Sequence, residues 1–91
     1  MSVGKQLLFS VLTAEPVAAR SNMLTRLQDS GVSEQMFAGD DEAAAYRFIV
    51  DYRRRYGVCP SIALVEVETE IRFPNYTSQH PFEYWFDEFR K

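Results

Sequence analysis

Three consecutive arginines, Arg53, Arg54 and Arg55, lie between Tyr52 and Tyr56. Guanidinium forks beside aromatic rings suit a single-stranded nucleic acid, whose phosphates pair with arginine and whose bases stack. Arginines in the last turn of a helix also favour the negative end of its dipole. The patch therefore has a phosphate-contact reading and a purely structural one. The second group is aromatic: Phe82, Trp85, Phe86 and Phe89. Four large apolar side chains so closely spaced are costly to leave in water. They read either as core or as a protein interface, where Trp, Tyr and Phe are enriched at energetic centres.

The remaining reactive types do not assemble. Glu66 and Glu70 share a face if residues 62–73 are helical, but acid–base work needs one of them desolvated. With Glu68 they read better as a solvated face. One cysteine and one histidine, Cys59 and His80, fall short of a structural zinc site. Cys59, between Val58 and Pro60, reads as a small buried hydrophobe, and His80 before Pro81 as a solvated residue near a helix cap. Gly4-Lys5 has neither the upstream glycine nor the following Ser or Thr of a phosphate-binding loop. No catalytic, cofactor-binding or metal-ligating residue is expected, and an enzyme is the weakest of the function classes.

Composition sets the frame for these residues. Ninety-one residues, 46% apolar and 25% charged, make one globular domain, too small for a nucleotide-driven motor or a TIM barrel. The net charge of −3 lacks the basic footprint typical of nucleic-acid binders. Cys59 has no internal disulfide partner, so a reducing, cytoplasmic setting is expected. The short apolar run Leu7 to Leu12 has no cleavage site after it and does not approach a membrane span. Asn75-Tyr76-Thr77 matches a glycosylation acceptor, without a secretory signal to give it meaning.

The elements are set by periodicity. Leu7, Leu8, Val11 and Leu12 make a one-sided stripe over Val3 to Thr13. Pro16 suits the start of a second helical stretch running to Asp29; Ser21-Asn22 leaves open whether this is one helix or two. Gly31 is placed to end it. Ser33 can cap one turn that carries Met36 and Phe37 toward the core, and Asp40 or Asp41 caps the next helix. Asp40 to Tyr56 is the clearest helix, with Ala45, Phe48, Ile49, Tyr52 and Tyr56 on one face. Arg47/Asp51 and Asp51/Arg55 are i,i+4 neighbours, and Gly57 stands just beyond as a stop. Residues 62–73 alternate like a strand and are rich in β-branched residues. Ser61 offers a helix cap, however, and a lone strand would have no partner, so helix is the expectation. Phe73-Pro74-Asn75-Tyr76 reads as a loop, and Pro81 opens a last helix with Ser78 or His80 near its cap. The fold class expected is all-α: a small orthogonal multi-helix bundle whose last helix begins a helical hairpin or linker. There is no internal repeat.

One stretch carries a resemblance. Tyr46-Arg47-Phe48-Ile49-Val50-Asp51-Tyr52-Arg53-Arg54-Arg55-Tyr56-Gly57-Val58-Cys59-Pro60-Ser61 resembles the middle of the N-terminal domain of DnaB-like replicative helicases. There a helix with an aromatic and aliphatic stripe ends in a Tyr-Gly-x-x-Pro-Ser turn before a short helix. Lys5 to Thr13 with Glu15-Pro16 is similar to that family's opening helix, and Val32 to Phe37 to its x-Ser-x-x-x-Phe turn. Pro81 to Phe89 is similar to the helix leading toward the family's hairpin. The resemblance spans most of the chain, with none of its motifs catalytic. Residues 62–73 depart from it in being richer in β-branched residues.

The resemblance implies that residues 1–91 are a collar domain, a fragment of a longer chain whose RecA-like motor lies C-terminal to it. It implies a non-catalytic role in ring assembly, with self-association as dimer pairs within a hexamer and with primase or a helicase loader as partners. ATP and magnesium belong to the motor, so no cofactor is expected in this domain, and direct DNA binding is expected to be weak or absent. The alternative from another class is a standalone helical nucleic-acid-binding or regulatory protein that uses Arg53, Arg54 and Arg55.

Overall fold

The computed structural model describes residues 2–73 and 80–91. Helix α1 spans Val3–Leu12, where the Ser2 side chain accepts from the Lys5 amide at 3.4 Å and caps the start. Its stripe is buried: Leu7, Leu8, Val11 and Leu12 all lie in the core. Glu15-Pro16 is a cis peptide bond in the link to α2, Val17–Asp29. This is one continuous helix, and Ser21-Asn22 does not interrupt it. Its end is a full Schellman motif: the Val32 amide donates to Leu27 O and the Gly31 amide to Gln28 O, both at 3.0 Å. Gly31 takes φ 83°, as the motif requires, and Val32 and Leu27 are both buried.

A 3₁₀ turn comes next, at Glu34–Met36. It sends Phe37 into the core but leaves Met36 48% exposed, contrary to the expectation that both turn inward. The Met36 sulfur instead accepts from the Ser33 amide at 3.4 Å. Helix α3 spans Asp40–Tyr56. Gly39 takes the capping position, and Asp41 accepts from the neighbouring Glu42 amide at 2.9 Å. Gly57, at φ 80°, stops the helix and donates to Arg53 O at 2.7 Å.

Residues 62–73 split between the two readings of their sequence. Helix α4 covers Ile62–Glu68, capped by Ser61 Oγ, which accepts from the Leu64 amide at 3.2 Å. Thr69 then leaves helical geometry, and residues 69–73 continue without helix or strand. Alternation survives there as burial, with Ile71 and Phe73 inside and Glu70 and Arg72 outside. The Glu66 carboxylate accepts from the Phe73 amide at 2.9 Å, supplying a partner that a neighbouring strand would otherwise give. Helix α5 is Phe82–Arg90, with Pro81 at its cap position. The Phe73–Tyr76 loop, the Asn75 acceptor pattern and the Ser78 cap lie wholly or partly outside the described residues.

Among the described residues every regular element is helical, which makes the fold a small all-α bundle. The Cα radius of gyration is 11.7 Å, against roughly 12 Å expected for a folded chain of this length. The most extensive helix pairing is α1 with α5. No helix among the described residues is long and apolar enough to cross a membrane.

Candidate interaction surface

Helix α3 has two working faces. Ala45, Tyr46 and Ile49 are buried with Glu42. Tyr46 packs on Phe37 with ring centres 5.0 Å apart, and its hydroxyl donates to Val32 O at 2.9 Å. Burial pushes the Tyr46 phenol above its ordinary pKa, with nearby Arg53 opposing. The other face carries Phe48, Tyr52 and Tyr56, four residues apart. Their ring centres are 5.9 and 4.6 Å apart in succession, a ladder running along the helix to its end. The ladder emerges from the protein as it goes: Phe48 and Tyr52 are half-buried, while Tyr56 is 60% exposed.

The ladder lines a groove of about 950 Å³ between α3 and α4. Arg47, Asp51, Arg54 and Arg55 border it on the α3 side, and Leu64, Glu68, Thr69 and Glu70 on the other. Arg47 approaches Glu34 at 3.5 Å and Arg54 approaches Asp51 at 3.0 Å. In place of the i,i+4 pairs Arg47/Asp51 and Asp51/Arg55, Arg47 therefore pairs with Glu34 and Asp51 with Arg54. The opposite wall was missed in the sequence. Leu64 and Glu68, one turn apart on α4, are its legible trace, but which element they face is a tertiary matter.

The three arginines have three different fates. Arg53 turns away from the groove and binds α2: its guanidinium donates to Ser21 O at 2.7 Å, Ser21 Oγ at 3.2 Å, Gln28 Oε1 at 2.8 Å, and also to Thr25 Oγ1. That occupation makes it a strut between helices. Arg54 is held by Asp51, and Arg55 is exposed with no ion-pair partner among the described residues. Only Arg54 and Arg55 of the triplet belong to the groove.

The aromatic tail is placed differently. Phe82 and Phe86 are core residues, at 5% and 2% exposure. Phe89 packs on Phe37, with ring centres 4.7 Å apart. Trp85 is half-buried, and its indole meets His80 and Tyr84 edge-on at 5.4 and 5.0 Å. Arg26 of α2 pairs with Glu83 and lies over the Phe82 and Phe86 rings at 5.4 and 5.6 Å. Glu83 is held below the usual carboxylate range by that hydrogen bond from Arg26. The stripe thus attaches α5 to the chain's own core. A partner seeking Phe82 or Phe86 would have to displace that helix.

Two further polar features lie away from the groove walls. Cys59 is a free, half-buried thiol, and burial pushes its pKa up. Glu42 is 5% exposed and lies where a smaller cavity of about 330 Å³ opens near the start of α1. Its Oε1 has no hydrogen-bond partner among the described residues. The described residues contain no group of three or more His, Cys, Asp or Glu able to hold a metal ion. Glu68 and Glu70 are exposed, and Glu66 is engaged with the Phe73 amide. No protein-family model, no curated protein and no solved structure matches the chain.

Proposed function

We propose that this chain is a non-catalytic assembly and protein-interaction domain of a DnaB-like replicative helicase, with primase or a helicase loader among its partners. The carrying observation is the α3–α4 groove, which half-buried Tyr52 and exposed Tyr56 line beside Arg54 and Arg55. Exposed aromatic rings with arginine are the residue types that concentrate binding energy at protein interfaces. The turn on which the resemblance rests adds support. Tyr56 ends α3, Gly57 takes the left-handed conformation, Pro60 is buried and Ser61 caps α4.

Calorimetric titration of the chain with the primase and with the loader of a DnaB-like replication system tests the proposal. Saturable binding to either, weakened about tenfold or more by Tyr52→Ala with Tyr56→Ala, is expected. Absence of binding to both, together with absence of self-association, would sink it.

A second reading is favoured by the same ladder: arginine beside stacked rings also suits single-stranded nucleic acid. Asp51, Glu68 and Glu70 line the same groove and oppose a phosphate backbone. Fluorescence anisotropy with a labelled oligonucleotide separates the two. Affinity that falls with salt by a log–log slope of about −0.7 per phosphate contact, and disappears in Arg54→Ala/Arg55→Ala, would favour the nucleic-acid reading.

A further inference from the structure

Glu42, in the first turn of α3, is a carboxylate at only 5% exposure. Its Oε1 has no hydrogen-bond partner among the described residues. Such a group is costly, because the charge gives up water and gains nothing in return. Gly4 makes the placement possible, since a side chain there would clash with Oε1. Two lysines stand close by in the chain, but each is engaged elsewhere: Lys5 with Asp41 at 3.5 Å and Lys91 with Glu88 at 3.1 Å. Glu42 lines the cavity of about 330 Å³ together with Val3, Gly4, Met36, Glu88 and Phe89. Met36 and Val3 are 48% and 36% exposed, which gives the cavity an apolar rim at the surface. Two carboxylates, an aromatic ring and an apolar rim match an organic cation, with a charged head for the acids and a methylene stem for the rest. A hard metal ion asks for about six oxygen ligands, more than these two carboxylates supply.

We propose that the cavity beside the start of α1 binds a primary alkylammonium group, carried by a free alkylamine or by a lysine side chain. The ammonium sits between Glu42 and Glu88, and its methylenes lie along Phe89 and Met36. The volume is near the lower end of ligand-sized cavities, about 300 Å³, in keeping with one short chain. The cavity shares no lining residue with the α3–α4 groove, so this binding does not depend on the interaction-domain reading.

Two-dimensional amide NMR of the isotope-labelled chain, titrated with n-butylammonium chloride, tests the site. Saturable shifts at the Val3, Gly4 and Glu42 amides are expected. A dissociation constant of about 1 mM is within reach of a ligand of about five non-hydrogen atoms. Glu42→Gln keeps the shape, removes the charge and is expected to weaken binding about tenfold or more. Glu88→Gln, at a part-exposed position, is expected to weaken it severalfold, and helical circular dichroism confirms that each variant is folded. The neutral analogue n-butanol is expected not to bind. Acetyl-lysine methylamide distinguishes the sources. Its binding assigns the cavity to a lysine side chain, and its exclusion while butylammonium binds assigns the cavity to a free amine. No saturable shift with either amine, equal binding by n-butanol or by magnesium chloride, or binding indifferent to Glu42→Gln would each overturn the proposal.

Discussion

At the scale of single residues, chemical type is a poor guide to role until the neighbours are known. Arg53 sits in a triplet of identical side chains, yet it alone reaches Ser21, Thr25 and Gln28. Arg53→Ala removes donors from several part-buried acceptors and is expected to destabilise by about 1–2 kcal/mol. Arg55→Ala, with no such partners, should stay within about 0.5 kcal/mol. Urea denaturation of the two variants checks the contrast, and equal losses would refute it. Gly4 offers a second case. A Cβ there would clash with the Glu42 carboxylate and stand 3.0 Å from the Phe37 ring. Gly4→Ala is therefore expected to cost about 1–2 kcal/mol, although alanine is the better helix former by about 1 kcal/mol. In a Glu42→Ala background the penalty should shrink or reverse, and thermal melts of the four-member cycle read this directly. Tyr46 and Cys59 share a consequence in alkali. Burial raises both pKa values from ordinary values of 10.0 and 9.0, so the folded state prefers the neutral forms. Their stabilisation is complete below the unfolded pKa values and is lost as pH rises through the folded ones. Stability should fall above about pH 9, less steeply in Cys59→Ala, as urea midpoints between about pH 7 and 10.5 would show.

At the scale of elements, α5 illustrates how a short helix survives. Its nine residues are too few to be stable alone in water, so packing must hold it. Phe86 is inserted at 2% exposure beneath Arg90, whose guanidinium lies 4.2 Å from the ring centre. Phe86→Ala is expected to cost about 3–5 kcal/mol, lowering the melting temperature by about 15 °C or more. Calorimetry measures it, and a drop of only a few degrees would mean that α5 contributes little to the fold. Helix α4 is the opposite case, capped locally but packed lightly, with Val65 its one fully buried residue. Ser61→Ala removes the cap at a cost of about 1 kcal/mol. Hydrogen exchange at the Leu64 amide should report the opening before global unfolding does.

At the scale of the whole molecule, a chain this small holds only about 5–13 kcal/mol of stability, so committing the aromatic tail inward has consequences for where partners can bind. The proposed ring-assembly role predicts a melting temperature that rises with protein concentration; a melting temperature independent of concentration would argue against self-association. Much of the architecture was legible in the sequence by itself. Leu7, Leu8, Val11 and Leu12 in α1, the full extent of α3, the stops at Gly31 and Gly57 and the cap at Ser61 are all local matters, set by side-chain periodicity and backbone conformation within a few residues. The division of 62–73 was not legible, because its helical and alternating patterns are both real and the Glu66–Phe73 contact chooses between them. The candidate surface was only half visible. The Tyr52–Tyr56 spacing announces a ladder, but its burial gradient, the diversion of Arg53 to α2 and the wall formed by Glu68 and Glu70 depend on which helices become neighbours. Periodicity along one helix specifies that it has an apolar face. Only tertiary packing decides how much of that face the rest of the chain is large enough to cover, and here it covers Ala45 and Ile49 and leaves Tyr56 in the open.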